Sequence, residues 1–200
     1  MEAWQNIHFN FDDFPKNIGV SCEWPEIEQM DLSEIEYLII WHHKNSIKDL
    51  SNLPNIPKLK YLEINWSNSL SLEGLEKYNS LKRLEIHMCT KLESIEDISS
   101  LKNSLEYVHF NGCKKINNHE KIIACKKLDT LCFNKCGEIK SLDFILSLPN
   151  LKDFRFVNTN ILDGNLNPII EHPKLKSIGM LNKRNYSHKS RAIEKLLDNK

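Results

Sequence analysis

Four residues able to do chemistry recur at nearly constant steps. Glu63, Glu85, His109 and Cys132 stand 22, 24 and 23 residues apart, and His87 follows Glu85 by two. Carboxylate and imidazole together can ligate zinc, and an imidazole beside a thiol can activate a nucleophile. Nothing else in the chain orders such a set: there is no His-Glu-x-x-His and no glycine-rich phosphate loop. Cys132 and Cys136 have the spacing of a half zinc site, but no second such pair completes it. The expectation is no catalytic residue, no metal and no cofactor, with these acids and imidazoles serving as polar contacts.

The constant steps have a simpler origin in an internal repeat. A frame of apolar residues at positions 1, 4 and 6, with Cys, Ser, Thr or His at position 9, recurs along most of the chain. It reads Leu59-Leu62-Ile64-Ser67, Leu81-Leu84-Ile86-Cys89, Leu105-Val108-Phe110-Cys113, Leu128-Leu131-Phe133-Cys136 and Leu151-Phe154-Phe156-Thr159. A weaker copy, Ile35-Leu38-Ile40-His43, precedes these, and a degenerate one, Leu175-Ile178-Met180-Lys183, follows. Starts lie 24, 22, 24, 23, 23 and 24 residues apart. Positions 4 and 6 alternate with polar neighbours as a half-buried strand requires. Apolar residues then recur at steps of three, as in Leu92-Ile95-Ile98-Leu101 and Ile139-Leu142-Ile145-Leu148, which suits a short 3₁₀ or helical return. Prolines after Leu53 and Leu148 disfavour longer helices there.

A period of 20–29 residues with this spacing resembles the leucine-rich-repeat family, in its short, cysteine-bearing form. That resemblance implies an α/β repeat solenoid: a curved parallel β-sheet with short 3₁₀ or helical segments on the convex side and caps at the ends. One repeat cannot bury its own apolar face, so the stack is the core. Strands stacked at ~4.8 Å would make a slab on the order of 30 Å long. Residues 1–34, with Trp4, Phe9, Phe11, Phe14 and Trp24, are expected to form an N-terminal cap. The repeats occupy 35–182, and 183–200 form a C-terminal cap. Its stretch Ser190–Leu197 has helical spacing, with Ile193, Leu196 and Leu197 expected on one face and a partner-binding amphipathic helix as the alternative reading.

The frame also assigns the cysteines and the outward face. Cys89, Cys113 and Cys136 fall at position 9 and Cys125 at an apolar return position, so they read as buried small residues. Free thiols fit a reducing compartment. Positions 3, 5, 7 and 8 face out from the sheet. They place Tyr37, Trp41, His42, Tyr61, Glu63, Trp66, Arg83, Glu85, His87, Tyr107, His109 and Arg155 on the concave side. Trp, Tyr, Met and Arg are enriched at protein interfaces, so this set is the expected partner-binding surface.

Lys plus Arg equals Asp plus Glu at 27 each, and the outward charges balance too. A phosphate track should be one-sided, so no nucleic-acid partner is expected. No apolar run reaches 18 residues, and the first residues lack a secretion signal, so no membrane partner and a cytoplasmic location are expected. The chain is expected to be a monomer when free. Rich in Asn, Lys and Ile, it resembles bacterial repeat proteins, among them immunity proteins that occlude a co-encoded toxin domain. That resemblance implies a non-enzymatic interaction scaffold whose partner is a toxin domain. An effector or adaptor using the same face is the alternative.

Overall fold

The computed structural model describes residues 3–6, 15 and 17–198, and Phe9, Phe11 and Phe14 of the expected cap lie outside them. In chain order the strands are β1 (Gly19–Glu23), β2 (Tyr37–Trp41), β3 (Tyr61–Asn65), β4 (Arg83–His87), β5 (Tyr107–Asn111) and β6 (Thr130–Asn134). The two-residue β7 (Glu138–Ile139) follows, then β8 (Asp153–Arg155), the two-residue β9 (Asn160–Ile161) and β10 (Ser177–Gly179). An eight-stranded sheet runs in the order β1-β2-β3-β4-β5-β6-β8-β10, and all its pairs are parallel.

The strand register carries the repeat frame from one strand to the next. Tyr37 pairs with Tyr61, Tyr61 with Arg83, Arg83 with Tyr107, Tyr107 with Thr130 and Thr130 with Asp153. Each column of the sequence is therefore a row of neighbouring side chains across the sheet. Position 4 (Leu38, Leu62, Leu84, Val108, Leu131, Phe154) is fully buried at 0 % exposure, so the stack supplies the core. Strand β1, inside the segment read as the N-terminal cap, joins the sheet on the same register, with Cys22 opposite Ile40.

The convex side is built from short returns. Glu96–Leu101, His119–Ala124 and Asp143–Ser147 are 3₁₀ helices, and α1 (Asn167–Glu171) is a single α-turn. In a 3₁₀ helix residues three apart share one side, and Ile95, Ile98, Leu101, Leu142, Ile145 and Leu148 are accordingly buried together. At the C-terminal end α2 (Ser190–Asp198) buries Ile193 and Leu197 against the stack and leaves Leu196 exposed.

Position 9 closes each strand from inside. Ser67 N–H donates to Cys89 Sγ at 3.2 Å, and Cys136 N–H donates to Thr159 Oγ1 at 2.9 Å. The Cys113 thiol donates to Ile86 O at 3.4 Å. His43 fills the same slot and bonds Ser67 Oγ and Asn52 Oδ1, both at 2.8 Å. All six cysteines are free and buried. Burial pushes the Cys125 thiol up to about 12. No helix among the described residues is long and apolar enough to cross a membrane.

Candidate functional site

The outward face is closed at one end of the strands and open at the other. Position 3, at the N-terminal ends, is buried throughout: Tyr37, Tyr61, Arg83, Tyr107, Thr130 and Asp153. Position 8, just past the C-terminal ends, is exposed at His42, Trp66, Met88, Lys135 and Asn158. The expectation of an open face is thus corrected for Tyr37, Tyr61, Arg83 and Tyr107, and at position 5 for Glu85, which is buried as well. Among the described residues, Trp4 and Asn6 lie against this end.

A 3₁₀ turn, Ala3–Gln5, lies over this end of the sheet. Trp4 packs with Tyr37, Ile39 and Tyr61 in a cluster separate from the solenoid core, and Ala3, Ile18 and Trp41 border it. Arg83 is 2 % exposed, and its Nη1 donates to the carbonyl oxygens of Trp4 and Asn6. Its guanidinium carbon sits 3.9 Å from the Tyr107 ring centroid and 5.4 Å from that of Tyr61. A delocalised cation between two aromatic faces is a favourable arrangement, stronger away from water.

Glu85 is the hub of the polar network. Arg83 Nε and Nη2 donate to its Oε1 at 2.7 and 2.6 Å. His87 Nε2 and His109 Nδ1 meet its Oε2 at 2.9 and 3.2 Å. Burial by itself pushes Glu85 up, but the His109 and His87 hydrogen bonds and the Arg83 charge outweigh it and hold the carboxyl well below the usual range. Tyr61 donates its hydroxyl to Glu63 Oε2 at 2.6 Å, and Asn65 Nδ2 donates to Glu63 Oε1 at 2.7 Å.

The network also fixes a tautomer. Val157 N–H donates to Asn134 Oδ1 at 3.0 Å, which turns the Asn134 amide nitrogen toward His109 Nε2 at 3.0 Å. His109 Nε2 therefore accepts, and the ring proton sits on Nδ1, aimed at Glu85. Glu85, His87 and His109 have donor atoms within 4.8 Å of one another, a set a divalent cation could use. Two features oppose that use: the His109 proton occupies the nitrogen that would bind, and the Arg83 cation already neutralises the carboxylate. Cys132, opposite His109 in register, is buried, and burial first of all raises its thiol to about 12. An activated nucleophile needs the reverse shift.

The open rim is built on backbone geometry. His42, Trp66, Met88, Lys135 and Asn158 all have positive φ, between 53° and 58°, and Gly112 has 75°. This left-handed turn lets the strand end while one more ladder bond forms. His42, Trp66, Met88, Gly112 and Lys135 donate their N–H groups to Asn65, His87, Asn111, Asn134 and Val157 at 2.7–3.0 Å. The side chains are thrown outward. The rings of His42 and Trp66 stack at 5.1 Å, and Trp41 lies 5.4 Å from Trp66. Trp66 and Met88 remain 47 % and 42 % exposed.

Strand β1 braces this rim, a role the sequence did not reveal: Trp41 Nε1 donates to Ser21 Oγ at 3.0 Å, and His42 Nδ1 meets Glu23 Oε2 at 2.8 Å. Arg155 is half-buried and paired with Asp153 at 2.8 Å. Trp4 was visible in the sequence as one aromatic among many, but no periodicity ties it to Arg83. Asn134 was legible only as a face position.

Repeat frame and parallel one-strand-per-repeat sheet together define a leucine-rich-repeat solenoid. No family model matches the chain. It is similar to a disease resistance protein, RPS4B, of Arabidopsis thaliana, at 27 % identity over 125 residues, covering 59 % of this chain and 10 % of that protein. Among solved structures it resembles an internalin (inlF) of Listeria monocytogenes, with a TM-score of 0.53 and 12 % identity over 76 % of this chain and 51 % of that one. An internalin C2 (inlC2) of the same organism gives a TM-score of 0.46 at 19 % identity, over 74 % of this chain and 70 % of that one. The chain spans a tenth of the curated relative and about half of the inlF structure. At these identities the likeness to solved structures concerns the fold.

Proposed function

We propose that this chain is a non-enzymatic protein–protein interaction scaffold that grips a folded partner domain across the open rim of its sheet. One observation carries the reading. Trp66 and Met88 sit side by side, 47 % and 42 % exposed, on backbone held in the left-handed region. That conformation costs a residue with a side chain roughly 1–2 kcal/mol, and glycine would avoid the cost. Within the fold a tryptophan there gains its ring contacts with His42 and Trp41, whereas a desolvated contact with a partner gains more, since Trp is among the strongest hot-spot residues. Trp41, His42, His87 and His109 extend the surface, and Glu63 and Arg155 supply charge of both signs beside it.

In its finer form the reading makes the partner a toxin domain, which this chain would neutralise by occluding it. The resemblance of its repeats and composition to bacterial immunity proteins supports that form. A cytoplasmic place for the complex accords with six free cysteines. Catalysis is disfavoured by the Glu85 network, whose carboxylate oxygens are already taken up by Arg83, His87 and His109.

The test is titration calorimetry with a candidate toxin domain taken from the neighbouring reading frame, using the wild-type chain and a Trp66→Ala/Met88→Ala variant. Tight binding by the first and a loss of about 2 kcal/mol or more in the second is the expected result. Equal affinity for both chains would remove the rim from the interface. Absence of binding would discard the toxin as partner and favour an adaptor role.

A further inference from the structure

The covered end of the face has the chemistry of a ligand site rather than of a core. Trp4 is held by Tyr37, Ile39 and Tyr61, which form a cluster of their own outside the solenoid stack. Arg83 spends one edge of its guanidinium on Glu85 and turns Nη1 to the main-chain carbonyls of Trp4 and Asn6. One aromatic anchor in a pocket plus donors to main-chain oxygens is how peptide segments are recognised. The covering piece is a three-residue 3₁₀ turn that belongs to neither sheet. Space remains beside it. A cleft of about 580 Å³ opens between Trp4, Gln5, Lys60, Lys82 and Glu106, and one of about 150 Å³ between Gln5, Tyr107 and Thr130.

We propose that the Tyr37–Tyr61–Arg83–Tyr107 end of the face is a groove for a tryptophan-bearing peptide segment, and that residues 3–6 occupy it in cis as a displaceable strap. Among the described residues the strap leaves both clefts unfilled, so a longer segment that brings a tryptophan and two accessible carbonyls can make contacts the strap does not. Displacement joins the groove to the open rim and extends the usable face. Only the identity of the displacing partner rests on the scaffold reading. The groove is testable without any partner.

The probe is a fluorescent peptide of residues 1–8 of this chain, MEAWQNIH, followed by anisotropy. It is titrated into the full chain carrying Trp4→Ala and into the wild-type chain, with melting curves to show that both are folded. The expected result is saturable binding to the Trp4→Ala chain and about tenfold or greater weakening with wild type, whose groove is filled in cis. A peptide with its own Trp replaced by Ala should not bind. Absence of saturable binding to the folded variant, equal binding to both chains, or equal binding of the alanine peptide would each overturn the proposal. Hydrogen exchange on the unmodified chain gives an independent reading that needs no variant. Amides of residues 3–6 should exchange by local opening, independent of denaturant and far faster than those of β3 and β4. Protection equal to that of the strands would make the segment a permanent part of the fold and overturn the strap.

Discussion

At the scale of single residues, the electrostatics turn on Glu85. Its carboxyl is held low in the folded chain, so its contribution is present above the unfolded value of about 4.3 and is lost as pH falls through the folded value. His43 and His119 are lowered, first of all by desolvation, so their share is complete above about 6.5 and is lost below it. Urea unfolding between pH 8 and pH 3 should therefore show stability declining from about pH 6.5 downward, with a further drop near and below pH 4. Glu85→Gln should flatten that lower limb. An unchanged lower limb would mean that Glu85 is not the group responsible. Arg83→Ala leaves Glu85 buried without its cation and should cost about 3–5 kcal/mol. The buried thiols offer a second reading at this scale. None of the six cysteines should react with a thiol reagent in the native chain, and all should react in denaturant.

Elements separate those that hold the stack from those that face outward. Ile193 on α2 is fully buried, while Leu196 three residues on is exposed. Ile193→Ala should cost about 2–5 kcal/mol and Leu196→Ala less than about 0.5, measured by denaturant midpoints. At the left-handed position Trp66→Gly removes an unfavourable backbone at the expense of stacking on His42 and Trp41. Its net effect on stability should stay within about 1 kcal/mol in either direction. A large loss there would make Trp66 a structural residue. Strand positions are legible in the sequence because the frame repeats: the spacing of Leu59, Leu81 and Leu105 fixes the register of β3, β4 and β5. Strand β1 was hidden because its register puts Asn17 at position 1, Cys22 at position 6 and Pro25 at position 9, none of which fits the frame. The shared left-handed turn was hidden because Trp66, Met88 and Lys135 are types that seldom adopt it, although Gly112, Asn158 and His42 are not.

On the scale of the whole molecule, the solenoid divides its outward face into a closed end and an open rim. Columns read from the sequence named the residues of that face but not their cover. The link between Trp4 and Arg83 spans 79 residues and runs through a main-chain carbonyl, which no side-chain pattern encodes. Tyr37 and Tyr61 looked like open anchors for the same reason. What remains open, Trp41, His42, Trp66 and Met88 with His87 beside them, lies on one rim and is the surface on which a partner domain would rest. Photo-crosslinking in the source cell tests this most directly. A photoreactive residue is placed at position 66 or 42 on the rim, and at position 97 or 146 on the convex returns. The expected result is one cross-linked protein obtained from the rim positions and absent from the convex ones. The same protein captured from the convex positions, or none from the rim, would contradict the assignment of this face as the binding surface.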